Sequence, residues 1–319
     1  MQINVSYACN EAYIEQTTVS LVSLFHNCSV PSQLHIFFID MGTNDISKKE
    51  MKSFVESFGA EYTTISFDEI AYDLNVSDKT GRHIKSVYAK IFFGRLPDID
   101  KIIYLDSDIV IVDDIKSLWD IDLGQNVIAG VETIHTIEDN IKIGYTVEER
   151  AINDGMVLMD LIKWRNGGYL EKCLAYIAKY DGEPPVLSEG TINAVCREKI
   201  LIIHPRYNLM SAIVGANVDT IRCLTGRGYY TQAEIDDATH NPCIIHFLSG
   251  FYNRPWCKHC NHPMKAEYIK YRKMTKWADE PLQEKELPIR LRMVGIAYKV
   301  LPIGVFNLLR TLFGNQKTK

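Results

Sequence analysis

The sequence lacks both a long apolar run and a secretory signal. Its nearest approach to a membrane span, VLPIGVFNLL between Lys299 and Arg310, is far shorter than the roughly 18 to 20 residues that cross a bilayer. The first residues, MQINVSYACNEAY, contain no basic region followed by an apolar segment. These absences argue against a membrane-spanning helix and predict a protein that stays in the cytoplasm.

The chain also lacks an excess of positive charge. Its formal net charge is −5 over 319 residues, which gives no general reason to expect nucleic acid as a partner. Residues 285–319 nevertheless carry seven Lys or Arg and one Glu, a net +6 that leaves −11 for the remainder. The sequence therefore predicts a basic tail on an acidic body.

A second set of zinc ligands is missing as well. CKHCNH at 257–262 looks like half of a zinc site, but a structural zinc needs a second pair of ligands at suitable spacing. The eight cysteines are scattered along a chain too long to need disulfides, so we expect reduced thiols. For the two cysteines of CKHCNH we expect surface thiols rather than zinc.

What the first 130 residues do contain is an alternation of strand-like and helix-like segments. The strand-like segments are INVSYA, LHIFFID, EYTTISF, KIIYLD and NVIAGVE. Helix-like segments lie between them at 12–27, 47–58 and 84–96, the second with a predicted capping box at Ser47 and Glu50. This alternation predicts an α/β fold with a mostly parallel central sheet and flanking helices.

The second half is less regular. GMVLMD is a predicted strand that runs into a helix at LIKWR, 168–180 and 191–197 look helical, and ILIIHP and CIIHFL look like strands. The acidic, proline-containing stretch ADEPLQEKELP is the predicted linker. We therefore predict a globular domain at 1–277, a linker at 278–288 and a basic amphipathic helical tail at 289–319.

The segment KIIYLDSDIVIVDD places two carboxylates, Asp106 and Asp108, among apolar residues. Ligands of parallel sheets bind beyond the carboxyl ends of strands, and Asp106 lies where KIIYL should end. Residues i and i+2 of an extended chain share a face, so both side chains can turn to one point, where a divalent cation would relieve their repulsion. Carboxylates suit Mg²⁺ or Mn²⁺, which usually serve phosphates. The alternative, a solvated acidic turn, is disfavoured by the flanking apolar residues.

His246, in CIIHFLSG, is a third candidate ligand. The segment that follows, GFYNRPW, offers a glycine for close approach and Arg254, whose guanidinium can pair with phosphate. An imidazole beside two carboxylates would tilt the preference from Mg²⁺ toward Mn²⁺. The alternative is a structural histidine that is hydrogen-bonded within the fold.

Three segments together, YLDSDIVIVDDI, INDGMVLMDLIKWR and IIHFLSGFYNRPW, resemble the motifs of the family 8 glycosyltransferases. That family includes bacterial lipopolysaccharide galactosyl- and glucosyltransferases and is distantly similar to glycogenin. The resemblance covers about residues 1–277, with the motifs in the family's order and spacing. It implies an A-type nucleotide-diphospho-sugar transferase fold, a UDP-hexose donor, Mn²⁺, and transfer with retention of the anomeric configuration.

The resemblance also implies a set of site residues. The positions that match metal and donor contacts are Asp106, Asp108 and His246 for the metal, with Ser107 between the carboxylates; Ala8, Asn10 and Tyr13 around uridine; Asp40 and Lys90 on the donor side; Asn153 at the donor sugar; and Gly250 and Arg254 at the diphosphate. Without the resemblance, Tyr13 could start a helix and pack on the sheet, Asn153 could be a turn residue, and Lys90 a solvated helical charge.

Several of these positions depart from the family's pattern. Lys90 stands where the family usually has Arg, Arg254 where it often has Lys, and Asn10 where Asp is common, which alters the geometry of the contacts. The family's Asp-Gln pair, which faces the sugar, is Glu189 and Gly190 here. The resemblance therefore leaves open whether UDP-galactose or UDP-glucose is the donor.

Retention of configuration needs either a covalent intermediate with a carboxylate or attack from the face that the diphosphate leaves. Asp154 and Glu189 are the candidate catalytic carboxylates, because Gly190 replaces the Gln proposed as a nucleophile in relatives. We expect same-face attack, with a phosphate oxygen of the leaving group as base.

Three other classes of protein remain as alternatives. A haloacid-dehalogenase-like phosphatase would share the apolar strand before DSD but normally has a Thr after the second Asp. A sugar nucleotidyltransferase would want a Gly-rich, basic N-terminal loop, which YACNEAY is not. A non-catalytic sugar-binding module would keep the fold without needing three metal ligands.

The tail, IRLRMVGIAYKVLPIGVFNLLRTLFG, interleaves apolar residues with Arg290, Arg292, Lys299 and Arg310. It predicts two short helices, broken near Pro302, that lie on an anionic membrane surface. The alternative is a helix packed on the protein's own core.

The acceptor is not identified by the sequence. A tail on the inner face of the cytoplasmic membrane would bring a glycolipid or other glycan acceptor within reach. We expect the acceptor pocket in the loops 134–150 and 206–231, because such pockets are built from variable loops.

Overall fold

The computed structural model describes residues 2–77, 84–96, 98–134, 136–226, 228–249, 252–301 and 304–306. The strands are β1 (Ile3–Cys9), β2 (Leu34–Asp40), β3 (Glu61–Ser66), β4 (Lys101–Leu105), β5 (Ile109–Ile111), β6 (Ile128–Glu132), β7 (Ile152–Asp160), β8 (Ile200–Ile202), β9 (Leu209–Met210) and β10 (Ile244–His246). The α-helices are α1 (Ile14–Asn27), α2 (Asp45–Glu56), α3 (Phe67–Ile70), α4 (Lys116–Trp119), α5 (Ile137–Lys142), α6 (Leu161–Asn166), α7 (Tyr169–Lys179), α8 (Leu187–Cys196), α9 (Val218–Thr225), α10 (Gln232–His240), α11 (Lys265–Arg272) and α12 (Ile289–Val300). Short 3₁₀ segments lie at Glu11–Tyr13, Pro31–Gln33 and Pro205–Asn208, and a longer one at Ile84–Arg95.

Seven strands form the central sheet in the order β3-β2-β1-β4-β7-β6-β8. Neighbouring strands are parallel except where β7 runs antiparallel between β4 and β6. The predicted α/β fold with a mostly parallel sheet is confirmed. The reversed direction of β7 brings its first residues to the edge at which β1, β2 and β4 end.

Apolar residues cover both faces of this sheet, as the alternation of side chains along a strand requires. Val5, Phe38 and Leu105 belong to a buried cluster with helices α1 and α2. Ile39 and Ile102 face the other way and belong to a second cluster with the 3₁₀ segment Ile84–Arg95 and helices α6 to α8. The sheet is thus the middle layer of three.

A second, three-stranded sheet of order β5-β10-β9 lies beside the end of β4. Strand β5 begins three residues after Asp106 and pairs antiparallel with β10, with His246 opposite Ile109. Strand β9 pairs parallel with β10 on its other side, with Met210 opposite His246. Pairing in the small sheet therefore brings His246 close to the segment that carries Asp106 and Asp108.

Helix α2 begins earlier than predicted. It starts at Asp45, and the side chain of Asn44 accepts a hydrogen bond from the backbone N–H of Ser47, so Asn44 is the N-cap. The predicted capping box at Ser47 and Glu50 is therefore wrong. An Asn at this position is among the strongest N-caps, and it competes successfully with a Ser three residues later.

The cysteines of CKHCNH differ from each other in exposure. Cys257 is 1 % exposed and packs in a cluster with Trp256 and Tyr268, so the prediction of a surface thiol is wrong at this position. Cys260 is half-buried, and its Sγ lies 3.0 Å from the carbonyl oxygen of Asn253. Burial of Cys257 follows from the apolar neighbours that the short spacing of the motif does not reveal.

The segment predicted as a linker, 278–288, makes several contacts with the globular part. Gln283 forms a parallel bridge with Cys257, and the side chain of Asn253 donates to the carbonyl of Lys285 at 2.9 Å. Helix α12 follows, with Ile289 and Met293 largely exposed. The predicted break near Pro302 and residues 307–319 of the tail lie outside the described residues, and the division at 278 and 289 stays a prediction. No helix among the described residues is both long enough and apolar enough to span a membrane.

Candidate active site at the carboxyl edge of the sheet

Polar side chains collect where the central strands end. Strand β1 ends just after Ala8, β2 ends at Asp40, and β4 ends at the residue before Asp106. Because β7 runs in the opposite direction, Asn153 and Asp154 at its beginning reach the same edge. The backbone N–H of Asp106 donates to the carbonyl of Gly155 at 2.8 Å, which joins the DSD and INDG segments directly.

Asp106, Asp108 and His246 form a group of three metal-ligand candidates. Each offers a ligand atom, and these atoms all lie within 4.8 Å of one another. The Nε2 atom of His246 is 3.0 Å from Asp108 Oδ1 and 3.9 Å from Asp106 Oδ2. The predicted convergence of the three side chains is what the structure shows, and the alternative of a solvated acidic turn is wrong.

Gly155 makes this convergence sterically possible. A Cβ atom on residue 155 would lie 2.4 Å from His246 Cε1 and 2.7 Å from Asp106 Oδ2, distances at which real Cβ atoms are essentially never found. The absent side chain leaves room for the two ligands to face each other. The glycine of INDG is therefore needed for close approach rather than for a turn.

The two carboxylates differ in their electrostatic surroundings. Burial raises the pKa of Asp106 to about 6. The charge of Asp108 adds to this increase, and the charge of Lys90 opposes it. Burial also acts against Asp108, but His246 and Arg254 outweigh it and hold the pKa of Asp108 well below its ordinary value. Arg254 contacts both the Asp108 carboxylate and the carbonyl of Phe247. The partners of Asp108 thus favour its charged form, whereas Lys90 does not outweigh the burial of Asp106.

Lys90 is 1 % exposed, so its interpretation as a solvated helical charge is wrong. Its ammonium group lies 2.9 Å from Asp154 Oδ2 and donates to the Asp154 carbonyl at 2.8 Å. It also lies 4.4 Å from the ring centre of Tyr104, whose hydroxyl donates to Asp106 at 2.7 Å. Asp154 further accepts from the Ser188 hydroxyl at 2.6 Å. The buried ammonium group of Lys90 therefore lies beside the acidic site.

Asn153 and Glu189 lie together. The Asn153 amide donates to Glu189 Oε2 at 2.7 Å, and the hydroxyl of Thr133 lies 3.3 Å from Glu189 Oε1. The Asn153 oxygen accepts from the buried amide of Asn208 and from the backbone N–H of Gly155. Asn153 is thus a member of a polar network rather than a turn residue, and its neighbour Asn208 was not predicted.

The residues predicted to surround uridine lie next to β1 and α1. Ala8 is buried near the end of β1, and the Asn10 side chain caps the 3₁₀ turn by accepting from Ala12 N–H at 3.1 Å. Tyr13 is 47 % exposed, so the alternative in which it packs on the sheet is wrong. The nearby hydroxyls of Thr17 and Ser107 are 2.8 Å apart, which links α1 to the DSD segment.

Asp40, at the end of β2, is engaged by the protein itself. Its carboxylate accepts from the backbone N–H groups of Gly42 and Thr43 and from the Lys48 ammonium at 3.0 Å. Burial raises the pKa of this carboxyl, but these partners outweigh it and hold the pKa below its ordinary value. Asp40 is therefore a fixed anion at the carboxyl end of β2. Gly250 lies outside the described residues.

Gly190, at the family's Gln position, has no space for a side chain. A Cβ atom on residue 190 would lie 1.9 Å from the carbonyl oxygen of Pro185. The preceding residues Val186 and Leu187 have φ of 58° and 54°, a left-handed conformation that costs energy for side chains of this shape. With this backbone conformation before α8, a Gln at position 190 would collide with the carbonyl of Pro185.

The donor set fits a hard divalent cation. Two carboxylates supply charge, one imidazole supplies nitrogen, and a three-residue set leaves coordination positions for ligand oxygens. Excess negative charge at Asp106 is what a cation would neutralise. Mn²⁺ or Mg²⁺ both satisfy these conditions, and the imidazole favours Mn²⁺.

The chain is similar to known glycosyltransferases over most of its length. A model described as "Glycosyl transferase family 8" matches residues 4–260. General stress protein A of Bacillus subtilis (strain 168) is 26 % identical over 281 residues, which cover 86 % of this chain and 94 % of that protein. Glycosyltransferase GlyF of Streptococcus pneumoniae serotype 4 is 26 % identical over 291 residues, which cover 90 % of this chain and 65 % of that protein.

A solved structure shares the fold. The crystal structure of the galactosyltransferase LgtC in complex with donor and acceptor sugar analogues superposes with a TM-score of 0.69 at 18 % identity, covering 91 % of this chain and 99 % of that one. The likeness confirms the predicted A-type glycosyltransferase fold.

Proposed function

The chain belongs to glycosyl transferase family 8, and from this premise we propose that it moves a hexose from UDP-galactose or UDP-glucose to a glycan or glycolipid acceptor, with retention of configuration. The acceptor would belong to cell-surface polysaccharide or lipopolysaccharide synthesis. One observation carries the proposal: Asp106, Asp108 and His246 present ligand atoms to one point at the edge where donors of such folds bind.

These three residues would hold Mn²⁺, with Mg²⁺ as the alternative. A cation bound there supplies Lewis-acid stabilisation of the charge that develops on the UDP leaving group. Arg254, at the rim and 24 % exposed, would offer its guanidinium to the diphosphate. Lys90 lies behind the site and offsets part of the carboxylate charge.

We propose same-face attack rather than a covalent intermediate. The Asp154 carboxylate is engaged by Lys90 and Ser188, and its side chain is only 10 % exposed, so it is poorly placed to be a nucleophile. Glu189 is held by the Asn153 amide, which suits a residue that orients sugar hydroxyls. A phosphate oxygen of the leaving group would then take the acceptor's proton.

The nucleotide would bind beside β1. Tyr13 is exposed enough to offer its ring to uracil; Asn10 caps the turn that contains it, and Ala8 lies near the end of β1. Asp40, fixed by the turn at Gly42 and Thr43, would face the ribose side. Gly250 would allow the diphosphate to approach the backbone.

We propose that residues 289–319 attach the enzyme to the inner face of the cytoplasmic membrane. Helix α12 leaves Ile289, Met293, Ile296 and Val300 at least 61 % exposed, although a soluble helix normally buries such side chains. The arginines on the same helix would meet anionic head groups, each contributing about 1 kcal/mol. Residues 1–277 would be the catalytic domain and 278–288 its connection.

The direct test is UDP release from a panel of UDP-sugars in the presence of Mn²⁺, with the anomeric proton of the product followed by NMR. We expect one UDP-hexose to dominate and an α-linked donor to give an α-linked product. The Asp106→Asn variant is the matched control and should release no UDP. A β-linked product, or UDP release that is unchanged in the control, would overturn the proposal. Phosphatase and nucleotidyltransferase activities are not proposed, because the chain belongs to a glycosyltransferase family.

A further inference from the structure

Buried polar side chains connect the metal-ligand candidate His246 with Glu189. His246 Nδ1 lies 2.9 Å from Asn208 Oδ1, and Asn208 Nδ2 lies 2.9 Å from Asn153 Oδ1. Asn153 Nδ2 lies 2.7 Å from Glu189 Oε2. His246 and Asn208 are both 0 % exposed, so neither can exchange these contacts for bulk water.

The direction of each hydrogen bond follows from the groups at one end. The backbone N–H of Gly155 can only donate, so the Asn153 atom that faces it at 3.2 Å is the oxygen. The Asn153 amide NH₂ must then face Glu189, whose carboxylate oxygen accepts from it. Asn208 consequently donates to the Asn153 oxygen.

The hydrogen bond between Asn208 and His246 determines which ring nitrogen of His246 carries a hydrogen. With its NH₂ group directed to Asn153, Asn208 presents its oxygen to His246, and an amide oxygen can only accept. Nδ1 of His246 must therefore carry a hydrogen. Without a cation, Nε2 can make its 3.0 Å hydrogen bond to Asp108 only by carrying a second hydrogen. With a cation between Nε2 and the two carboxylates, the ring is neutral, its hydrogen stays on Nδ1 and the lone pair of Nε2 binds the cation.

We propose that Asn208 is a positioning residue with two effects: it holds His246 in the tautomer that can bind a cation, and it couples that ligand to Asn153 and Glu189 at the sugar. The inference rests on the proposed metal site and deepens it. Partners of a metal-bound histidine typically change metal affinity 10- to 100-fold when they are removed. The coupling gives the donor sugar and the cation a shared set of hydrogen bonds.

The test measures Mn²⁺ affinity directly, by EPR detection of free Mn²⁺ added to metal-stripped protein. Asn208→Leu keeps the buried volume but removes both hydrogen bonds, and we expect Mn²⁺ binding about 10- to 100-fold weaker. Asn208→Asp keeps an acceptor for His246 but cannot donate to Asn153. It should bind Mn²⁺ more tightly than Asn208→Leu, while the KM for the UDP-sugar rises or kcat falls.

Two controls separate positioning from loss of fold. Asn4→Leu replaces another buried Asn, whose amide donates to the Lys101 carbonyl at the opposite end of β1, and it should leave Mn²⁺ affinity unchanged. Circular dichroism of each variant reports folding. Should both Asn208 variants fail to fold, ¹⁵N-histidine NMR of the wild type with Mg²⁺ still decides: His246 must carry its hydrogen on Nδ1.

The outcomes are distinguishable. Wild-type Mn²⁺ affinity in folded Asn208→Leu would overturn the role of Asn208 while leaving the metal site intact. A hydrogen on Nε2 of His246 with Mg²⁺ present would overturn that role together with His246 as a metal ligand, because a protonated Nε2 has no lone pair for the cation. Absence of Mn²⁺ binding to the wild type would overturn both the metal site and the positioning role. Weaker binding in Asn208→Leu with rescue in Asn208→Asp would support the inference.

Discussion

The two aspartates of DSD should respond oppositely to neutralisation when no metal is present. Asp106 has a raised pKa, so its charged form destabilises the folded protein, whereas Asp108 has a lowered pKa, so its charge stabilises it. In EDTA at pH 8, Asp106→Asn should therefore unfold at a higher temperature than wild type. Asp108→Asn should unfold at a lower one.

The magnitude for Asp106 follows from its pKa. In the folded chain the pKa is about 6, compared with the ordinary 3.8 that applies to the unfolded chain. The difference corresponds to at most about 3 kcal/mol at 1.36 kcal/mol per pKa unit. Because 32 % of the side chain is exposed, we expect about 1 to 2 kcal/mol after solvent screening.

The stability difference between Asp106→Asn and wild type should depend on pH. A group whose pKa rises on folding binds its proton more tightly in the folded state. The stability that protonated Asp106 gives the folded chain is therefore fully present below pH 3.8 and is lost as the pH rises through about 6. The advantage of Asp106→Asn over wild type should therefore be complete at pH 8 and vanish near pH 4. Neutralising Asp108 has the opposite sign at pH 8, since Arg254 and His246 lose their partner, at a cost of about 2 kcal/mol.

The assay is thermal unfolding of wild type and both variants, each at pH 4 and pH 8 in EDTA and again at pH 8 with Mn²⁺. Added Mn²⁺ should raise the midpoint of wild type and leave both variants nearly unchanged, because binding to the folded state alone stabilises it. Shifts of the same sign for the two variants in EDTA would refute this account. So would an Asp106→Asn advantage that persists undiminished at pH 4.

Further predictions concern the glycine, the aromatic ring and the tail. Gly155→Ala should cost about 1 to 3 kcal/mol through overpacking and also abolish Mn²⁺ binding measured by EPR, because the new methyl group displaces His246. Gly130→Ala, which meets only the Ile152 side chain, should lose stability and keep Mn²⁺ affinity; equal affinity in both variants would contradict the steric argument. Tyr13→Ala should weaken UDP binding in calorimetry without changing the unfolding midpoint, since the ring is 47 % exposed, and unaltered UDP affinity would remove it from the nucleotide pocket. Deleting residues 289–319 should release the protein from anionic vesicles in a sedimentation assay and preserve UDP-sugar hydrolysis; vesicle binding by the shortened protein, or its unfolding, would count against the membrane tail.

The large features of the fold could be predicted because each depends on local pattern. Short β-branched runs separated by amphipathic helices gave a parallel sheet, and two carboxylates after a buried strand gave the edge at which ligands bind. The antiparallel direction of β7 could not be predicted from GMVLMD, since a buried strand has the same apolar pattern in either direction.

Individual polar residues were harder to predict, for two different reasons. The burial of Lys90 could have been predicted from its neighbours. In SVYAKIFFG it is surrounded by apolar residues, whereas a lysine on a solvated helix face would have polar neighbours. Asn208 carried none: a single Asn before a two-residue strand is typical of a turn, and its partners lie 38 and 55 residues away in sequence. Hydrogen-bond networks that join distant segments are set by tertiary pairing, which local sequence does not encode.

The antiparallel placement of β7 also bears on how such a sequence can diverge. Leu105 pairs with Met156 and Lys101 with Asp160, so the position of Asn153 relative to Asp106 is set by strand register, and a slip of one residue would turn Asn153 away from the site. The connection between β6 and β7, by contrast, only has to return the chain to the same edge. Changes at exposed positions of residues 134–150, such as Ile141 and Val147, can therefore accumulate without altering that register. If that loop forms the acceptor pocket, as its sequence predicts, a lineage could exchange one acceptor for another there while Asp106, Asp108 and His246 stay in place.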